Sequence, residues 1–390
     1  MVINSVSSVG DANKYAILRL IQQESGISRE EVARRLNLSS PTVSKNVSVL
    51  CAAGIIYEQG TENAQIGRKP VLLYYNQNIM LVVGAEVMPQ GIRGVLANMQ
   101  GEILASEEMP SEIERGTQYT LENLMRVIDA LVASASDPDS VKCMCIASPG
   151  CGKTASQFNL LSDYQSDWAD VDLPELLGAR YHVPVQVMND VELDLIGEHW
   201  LGAGQDSENI LLFKCGNGLA CRTLLGGKVF SGVNGIAGDI GLFVDSFEHG
   251  RSAFALPGAM EKKLCMSLGT SYNSAGGTEE VPANLSLRGL IKLAEKGDGA
   301  AQGVLDWVVR EIAVLIANSV LVINPEVVIL AGDAAYLRER DLDVLKKFLE
   351  ANCPYPPQLR CAGLRERSST LGCVITAVTK AETFLSGLWK

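Results

Sequence analysis

The spacing of hydrophobic residues predicts a helix near the start of the chain. Apolar side chains recur three and four residues apart and so share one helical face; they are Ala16, Ile17, Leu20 and Ile21. Asp11 precedes this run as a candidate N-cap, and Gly26 follows it as a stop, because helices often end at glycine. The pattern therefore predicts an amphipathic helix between residues 11 and 26.

Two further short helices are predicted around a tight turn. Ser28 and Glu31 have the spacing of a capping box, in which the Ser28 hydroxyl accepts from the Glu31 N–H and the Glu31 carboxylate reaches back. Asn37 tolerates the left-handed dihedral angles of such a turn. Ser39 can cap the third helix, with Pro41 in its first turn, where a missing N–H costs nothing. Together these signals predict a helix-turn-helix.

The third helix has a face suited to DNA. The positions that would turn inward are Val43, Val47 and Leu50. The following sequence, 54–76, reads as strand, polar loop and strand, which is the wing of a winged helix. Arg68 at its tip could enter a minor groove, and Lys69 could pair with a phosphate. The predicted DNA contacts are Ser40, Thr42, Ser44, Lys45, Arg68 and Lys69. The alternative is a three-helix protein-interaction domain with a solvated charged face.

Further along the chain the apolar pattern changes to alternation, the period of a strand. Residues 79–109 read as three strands joined by turns, a helix follows near 121–134, and an apolar strand ends at Pro149-Gly150. The three-strand pattern returns at 209–233. Two such meanders, each followed by helices and strands, predict an α/β body with a duplicated lobe and a cleft between the lobes, as in sugar kinases and actin-like ATPases.

Charge divides the 390 residues in two. The whole sequence carries a net charge of −12, yet residues 1–75 hold eight basic and six acidic side chains. These numbers leave about +2 on the first 75 residues and about −14 on the remainder. An acidic body repels nucleic acid, so DNA contact is expected only in the N-terminal segment.

Cysteine usage and hydropathy predict a cytoplasmic protein with no membrane partner. The ten cysteines are scattered without a CxxC pair, which favours buried free thiols in a reducing compartment. No run approaches the roughly 18 apolar residues of a membrane span. The N-terminus lacks the basic-then-apolar order of a secretion signal.

Asn189-Asp190 is the main candidate for chemistry in the body. An apolar strand, 183–188, ends there and a helix follows at 191–200. Ligands of α/β sheets bind beyond the carboxyl ends of the strands. Asp190 could be a catalytic base or could accept hydrogen bonds from a ligand; alternatively, Asp190 or Asn189 merely caps the helix.

Several different short motifs are distributed along nearly the whole chain. They are SPG at 148–150, ND at 189–190, LGAG at 201–204, GGKVFSGVNGIAGDIG at 226–241, GAME at 258–261, INPEVVILAGD at 323–333 and LGC at 371–373. In this order and spacing they resemble the ROK family, which contains sugar kinases and sugar-responsive repressors with an N-terminal winged helix. The resemblance implies a two-lobed, sugar-kinase-like body and favours the repressor branch related to the xylose and N-acetylglucosamine repressors.

The segment that would hold ATP phosphates departs from the ROK kinases. Those kinases have an Asp-x-Gly-Gly-Thr turn in the first meander, whereas this chain runs from Glu86 to Gln90 with Met88 and Pro89 at the glycine positions. Backbone N–H groups must approach a phosphate closely, and proline has none. Asp333 would also oppose the charge of a nucleotide. The resemblance therefore implies a body without kinase activity.

The sugar and zinc motifs are altered as well. The family's Gly-Glu-Ile-Gly-His sequence corresponds here to 238–242, which ends in leucine, and its zinc cysteines are absent from 251–261, so no metal is expected. The residues that match the family's sugar contacts, and are therefore the predicted effector-binding residues, are Asn189, Asp190, Asn234, Asp239 and Glu261. No catalytic residue and no cofactor are expected.

The resemblance and the patterns together predict three regions. They are a winged helix-turn-helix at 1–77, lobe 1 at 78–190 completed by a helix at 370–390, and lobe 2 at 191–369. The expected function is a repressor of a carbohydrate-use operon that binds double-stranded operator DNA as a homodimer or homotetramer and senses a sugar or sugar phosphate. The alternatives are a ROK sugar kinase, and a regulator whose body binds no small molecule and only dimerises or docks a partner protein.

Overall fold

The N-terminal region, here called the head, is a winged helix. The structure is a computed structural model that describes residues 9–60, 71–148, 168–216, 218–246, 250–251, 259–274 and 285–389. The elements of the head are α1 (Val9–Gln23), β1 (Ile27–Ser28), α2 (Arg29–Leu36), α3 (Ser40–Ala52), β2 (Ile56–Gly60) and β3 (Val71–Tyr75). The three strands form one sheet in the order β1-β3-β2.

Most of the residues predicted to begin or end the helices of the head do so. The Ser28 and Ser39 hydroxyls accept from the backbone N–H groups three residues on, and Asn37 is left-handed with φ 51°. Two predictions were wrong in detail. Helix α1 begins at Val9, so Asp11 lies inside its first turn rather than at the cap. The Glu31 carboxylate binds the guanidinium groups of Arg34 and Arg35 instead of returning to the cap.

Lobe 1 is built on a five-stranded sheet. Its elements are β4 (Leu81–Val87), β5 (Ile92–Asn98), β6 (Ile103–Met109), α4 (Thr117–Ser134), β7 (Val141–Ala147), α5 (Leu173–Tyr181) and β8 (Val185–Met188). The strand order is β6-β5-β4-β7-β8, in which the first three strands are antiparallel and the last three are parallel.

Lobe 2 repeats this topology. Its elements are α6 (Asp190–Leu201), β9 (Ile210–Cys215), β10 (Leu219–Leu225), β11 (Lys228–Phe230), β12 (Val244–Ser246), β13 (Gly250–Arg251), α7 (Ala259–Ser274), α8 (Leu287–Glu295), α9 (Gly299–Ile323), β14 (Val327–Gly332), α10 (Glu339–Asn352) and β15 (Gln358–Cys361). The last helix, α11 (Ser368–Leu388), follows β15 and returns to the sheet of lobe 1. The main sheet of lobe 2 has the order β11-β10-β9-β14-β15. The equivalent strand orders confirm the predicted duplicated, two-lobed α/β body.

Helices α6 and α11 lie between the two lobes and pack closely on each other. Helix α11 contacts β4 and β7 of lobe 1, and α6 contacts β10 of lobe 2. Two glycines permit the close approach of the helices. A Cβ atom on Gly372 would lie 2.0 Å from the Leu193 carbonyl oxygen, and one on Gly197 would lie 2.3 Å from that of Ser368. Neither position can carry a side chain without moving a helix.

One helix within the described ranges, Arg365–Leu388, is long and apolar enough to cross a membrane. It includes α11, whose inner face is buried against α6 and the lobe 1 sheet. A core helix of a globular protein passes the same test of length and composition. We therefore treat it as part of the interior between the lobes.

Candidate functional site

Helix α3 presents the predicted DNA-contacting residues. Ser40 and Lys45 are exposed, while Thr42 and Ser44 are half-buried. The Thr42 hydroxyl lies 2.8 Å from the Ser39 hydroxyl, with which it shares a hydrogen bond at the start of the helix. The predicted wing residues, Arg68 and Lys69, lie outside the described residues. Lys45 is thus the predicted contact whose charge is presented most openly on α3.

The orientation of α3 depends on its buried face and on Arg29. Val43, Val47 and Leu50 have no exposed surface, as predicted. Arg29, at the start of α2, donates to the Ser44 carbonyl at 3.2 Å and to the Glu58 carboxylate on β2 at 2.9 Å. No motif in the sequence pointed to this arginine, which connects α3 to strand β2, ahead of the predicted wing.

Asn189 and Asp190 have different roles at the carboxyl end of β8, where the sequence predicts a cleft between the lobes. The Asn189 side chain accepts from the Val191 and Glu192 N–H groups at 3.0 and 3.3 Å, so Asn189 is the helix cap. The Asp190 carboxylate accepts from Lys214 Nζ at 2.8 Å. Its acceptor capacity is thus already partly used by a cation of the protein itself.

Lys214 lies between two carboxylates of α6. Besides Asp190, its Nζ is 2.7 Å from Asp194 Oδ2, one helical turn further along the same face. Burial opposes the charge on Asp190, but the neighbouring Lys214 ammonium outweighs it and holds the pKa of Asp190 below its ordinary value. Burial alone would lower the pKa of Lys214, yet the surrounding carboxylates raise it. Asp190 and Lys214 are therefore both charged at any physiological pH.

Glu86 brings a third carboxylate to this cluster from the other lobe. It lies near the end of β4, only 6 % of its surface is exposed, and it accepts from the Thr370 hydroxyl of α11 at 3.2 Å. Burial raises the pKa of Glu86 to about 7, which the attraction of Lys214 only partly offsets. Asp190 and Asp194 also repel its negative charge. Glu86 near the end of β4 and Lys214 near the end of β9 therefore attract each other across the two lobes.

A second internal ion pair holds Asp239. The guanidinium of Arg222, on β10, is 3 % exposed and donates from Nη1 to Asp239 Oδ1 at 2.7 Å. The same nitrogen donates to the Cys221 and Ala237 carbonyl oxygens. Arg222 Nε is buried without a hydrogen-bond partner. Asp239, like Asp190, therefore has a cationic partner within the chain.

The remaining predicted effector residues are more dispersed. Asn234 is exposed on the segment after β11, and Glu261 belongs to α7, although its side chain is outside the described part of the chain. Neither Lys214 nor Arg222 belongs to a motif that was predicted to bind a ligand. Each is a lone charge inside an otherwise apolar strand, which was the signal that could have revealed them.

Comparison with known proteins finds a matching family model for the body and another for the head. The ROK family model matches residues 83–380, and a winged helix-turn-helix DNA-binding model matches residues 11–57. The chain is 24 % identical over 390 residues to the xylose repressor of Caldicellulosiruptor bescii, which covers 95 % of this chain and 96 % of the relative. It is 25 % identical over 348 residues to the DNA-binding transcriptional dual regulator NagC of Escherichia coli, covering 85 % and 82 %.

A solved structure agrees with the fold over the full length. A ROK family transcriptional regulator, described as a homologue of the E. coli MLC protein, superposes with a TM-score of 0.73 at 20 % identity and covers 98 % of both chains. The expected fold and resemblance are thereby confirmed. Because the family model spans most of the body and a DNA-binding model spans the head, the chain belongs to the ROK family and is one of its DNA-binding transcriptional regulators.

Proposed function

We propose that the protein represses a carbohydrate-use operon, that its body binds a sugar or sugar phosphate as effector, and that this body does not phosphorylate sugars. It would act in the cytoplasm on operator DNA as a homodimer or homotetramer. Two-fold symmetry would place two α3 helices about 34–36 Å apart in successive major grooves. The effector would act by favouring one arrangement of the lobes over another. The observation that carries the proposal is a DNA-binding head joined to a two-lobed body in which Asp190 and Asp239 are already paired with Lys214 and Arg222.

The β4–β5 turn offers few donors for a phosphate. The Met88 N–H donates to the Gly91 carbonyl at 2.8 Å, and the Gly91 N–H returns to the Met88 carbonyl at 3.2 Å. Pro89 has no N–H. Of the four residues 88–91, only Gln90 retains a backbone N–H that is not used within the turn. A phosphate cradle needs several converging N–H groups, so this turn is unsuited to ATP.

Asp190 is also poorly prepared to act as a base. In a sugar kinase a base accepts a proton from the attacking hydroxyl as phosphate transfer proceeds. The Lys214 ammonium, 2.8 Å away, stabilises the ionised form of Asp190 and so weakens its basicity. Both observations support a body that has lost catalysis and kept the lobes.

A carbohydrate effector is supported by the relatives and by the predicted polar residues of the cleft. Relatives that match nearly the whole chain are named as a xylose repressor and as NagC. Asn234 and Asp239 offer oxygen acceptors for sugar hydroxyls. Asp190 is already paired with Lys214, and Asp239 with Arg222. These ion pairs favour the second candidate, a body that binds no small molecule. A thermal-shift screen over monosaccharides and their phosphates distinguishes the two, because only an effector raises Tm.

Operator binding should depend on Lys45. A duplex enriched from a random pool with the full-length chain is expected to bind Lys45→Ala about 5- to 30-fold more weakly, with a shallower salt dependence, because a phosphate or base contact is lost. Fluorescence anisotropy at several salt concentrations measures both quantities. Lys347→Ala, which removes an exposed lysine from α10, is the matched control. Failure to enrich any duplex, or equal weakening by the two variants, would contradict DNA reading through α3.

Nucleotide should not bind the body. Calorimetry with Mg-ATP and a panel of sugars is expected to show neither heat of nucleotide binding nor turnover, because within residues 88–91 only Gln90 has a backbone N–H to offer a phosphate. Phosphorylated sugar in the product mixture, or an ATP analogue seen against residues 86–90, would restore the kinase alternative.

A further inference from the structure

We propose that α11 transmits the state of the cleft to the head, through contacts of its first turns with the lobes and of its last turns with α1. This inference rests on the proposed function only in supposing that the cleft has more than one state. The helix has 21 residues and so spans about 30 Å at 1.5 Å per residue. It contains no proline, the usual cause of a sharp kink.

The first turns of α11 lie in the charged cluster of the cleft. The Thr370 hydroxyl donates to Glu86 at 3.2 Å, and the Ser368 hydroxyl donates to the buried carboxylate of Glu198 on α6 at 2.7 Å. Gly372 packs directly on the backbone of Leu193. Leu193 immediately precedes Asp194, which pairs with Lys214. A change in the separation of the lobes, or in the charge of Glu86, must therefore move the start of α11 or break these contacts.

The last turns of α11 hold α1 of the head. Arg19 donates two hydrogen bonds to Glu382, at 2.9 and 2.7 Å, across a sequence separation of 363 residues. Tyr15 packs edge-to-face on Trp389, with ring centroids 5.0 Å apart. A bidentate arginine–carboxylate pair fixes orientation as well as distance. Helix α1 is thus attached in both position and angle.

One hydrophobic cluster joins the two ends. Its buried members from the head, from lobe 1 and from α11 include Ile17, Ile21, Val82, Cys143, Val374, Ala377, Ala381 and Leu385. Packed cores resist continuous deformation, so a shift at one end of a stiff helix reappears at the other rather than dissipating. The short link between β3 and β4, residues 76–80, is the covalent connection between head and body, and it ends at Met80, in the same cluster.

Hydrogen–deuterium exchange on the full-length chain tests this coupling without operator or effector. Thr370→Val removes the hydroxyl that reaches Glu86, and Glu382→Gln weakens the hold on Arg19. We expect Thr370→Val to change the exchange rates of the α1 amides, residues 9–23, by about two- to thirtyfold. In the Glu382→Gln background that change should largely disappear. Thr383→Val is the control: the Thr383 hydroxyl donates to the Lys380 carbonyl of its own helix, so its loss should leave α1 unchanged.

Two outcomes would overturn the proposal. In one, Thr370→Val alters exchange in β4 and α6 while α1 exchanges at the wild-type rate. In the other, the effect on α1 persists undiminished when Glu382→Gln is added. If Thr370→Val folds poorly, Glu86→Gln perturbs the same contact from the opposite side and replaces it in the cycle. A negative result here leaves operator binding untouched, and a failed operator selection would leave this coupling intact.

Discussion

Replacing Glu198 with glutamine is expected to lower the free energy of unfolding by about 2–4 kcal/mol. The Glu198 side chain is fully buried, and its carboxylate accepts four hydrogen bonds. The donors are the Ala203, Gly363 and Leu364 N–H groups and the Ser368 hydroxyl, at 2.7–2.9 Å. Glutamine replaces one acceptor oxygen with an NH2 group that would face N–H donors, so some of these groups lose their partner without gaining water.

Urea unfolding followed by circular dichroism measures this loss as a lower midpoint. Glu350→Gln, which makes the same change on the exposed side of α10, is the control and should shift the midpoint by far less. An unchanged midpoint for Glu198→Gln would mean that the four hydrogen bonds do not hold α6, β15 and α11 together as the geometry indicates.

Replacing Glu86 with glutamine should instead raise the free energy of unfolding at alkaline pH. Among the described residues, Thr370 is the one hydrogen-bond donor to the Glu86 carboxyl, and burial raises the pKa of Glu86 from an ordinary 4.5 to about 7. Between these two values the folded protein binds a proton that the unfolded chain has released. Stability contributed by protonated Glu86 is therefore complete below about pH 4.5 and is lost as pH rises through 7, by about 3 kcal/mol.

Glu86→Gln is neutral at all pH values and should escape this loss. We expect it to be close to wild type at pH 5 and more stable by about 1–3 kcal/mol at pH 8. Urea midpoints at both pH values test this, and the difference between variants removes the contribution of the three histidines in the chain. Glu107→Gln, on the exposed strand β6, is the control. Parallel pH profiles for wild type and Glu86→Gln would contradict a buried carboxyl that resists ionisation.

The head and the topology of the body could be predicted from the sequence because their signals are local. Caps such as Ser28 and Ser39 act within three residues, and the three-strand arrangement of β4–β6 reappears in β9–β11. Local chemistry also decided between roles at the edge of the cleft. Asn189, not Asp190, makes the capping hydrogen bonds.

The partners of the cleft carboxylates could not be predicted in the same way. Asp190 and Lys214 are separated by 24 residues and meet only because α6 crosses onto the sheet that contains β9. A resemblance to a family carries over the identity of a residue, but not the new neighbour that changes what the residue can do. The pairing of Arg222 with Asp239 across 17 residues is a second example.

The attachment of α1 to the end of α11 has a consequence for anyone who wishes to graft this reader onto a different sensor. A chimera that takes only the first 77 residues would leave Arg19 and Tyr15 without the partners they have at the opposite terminus. Such a graft needs α11 and Trp389 as well as the head, and the two segments should be exchanged together.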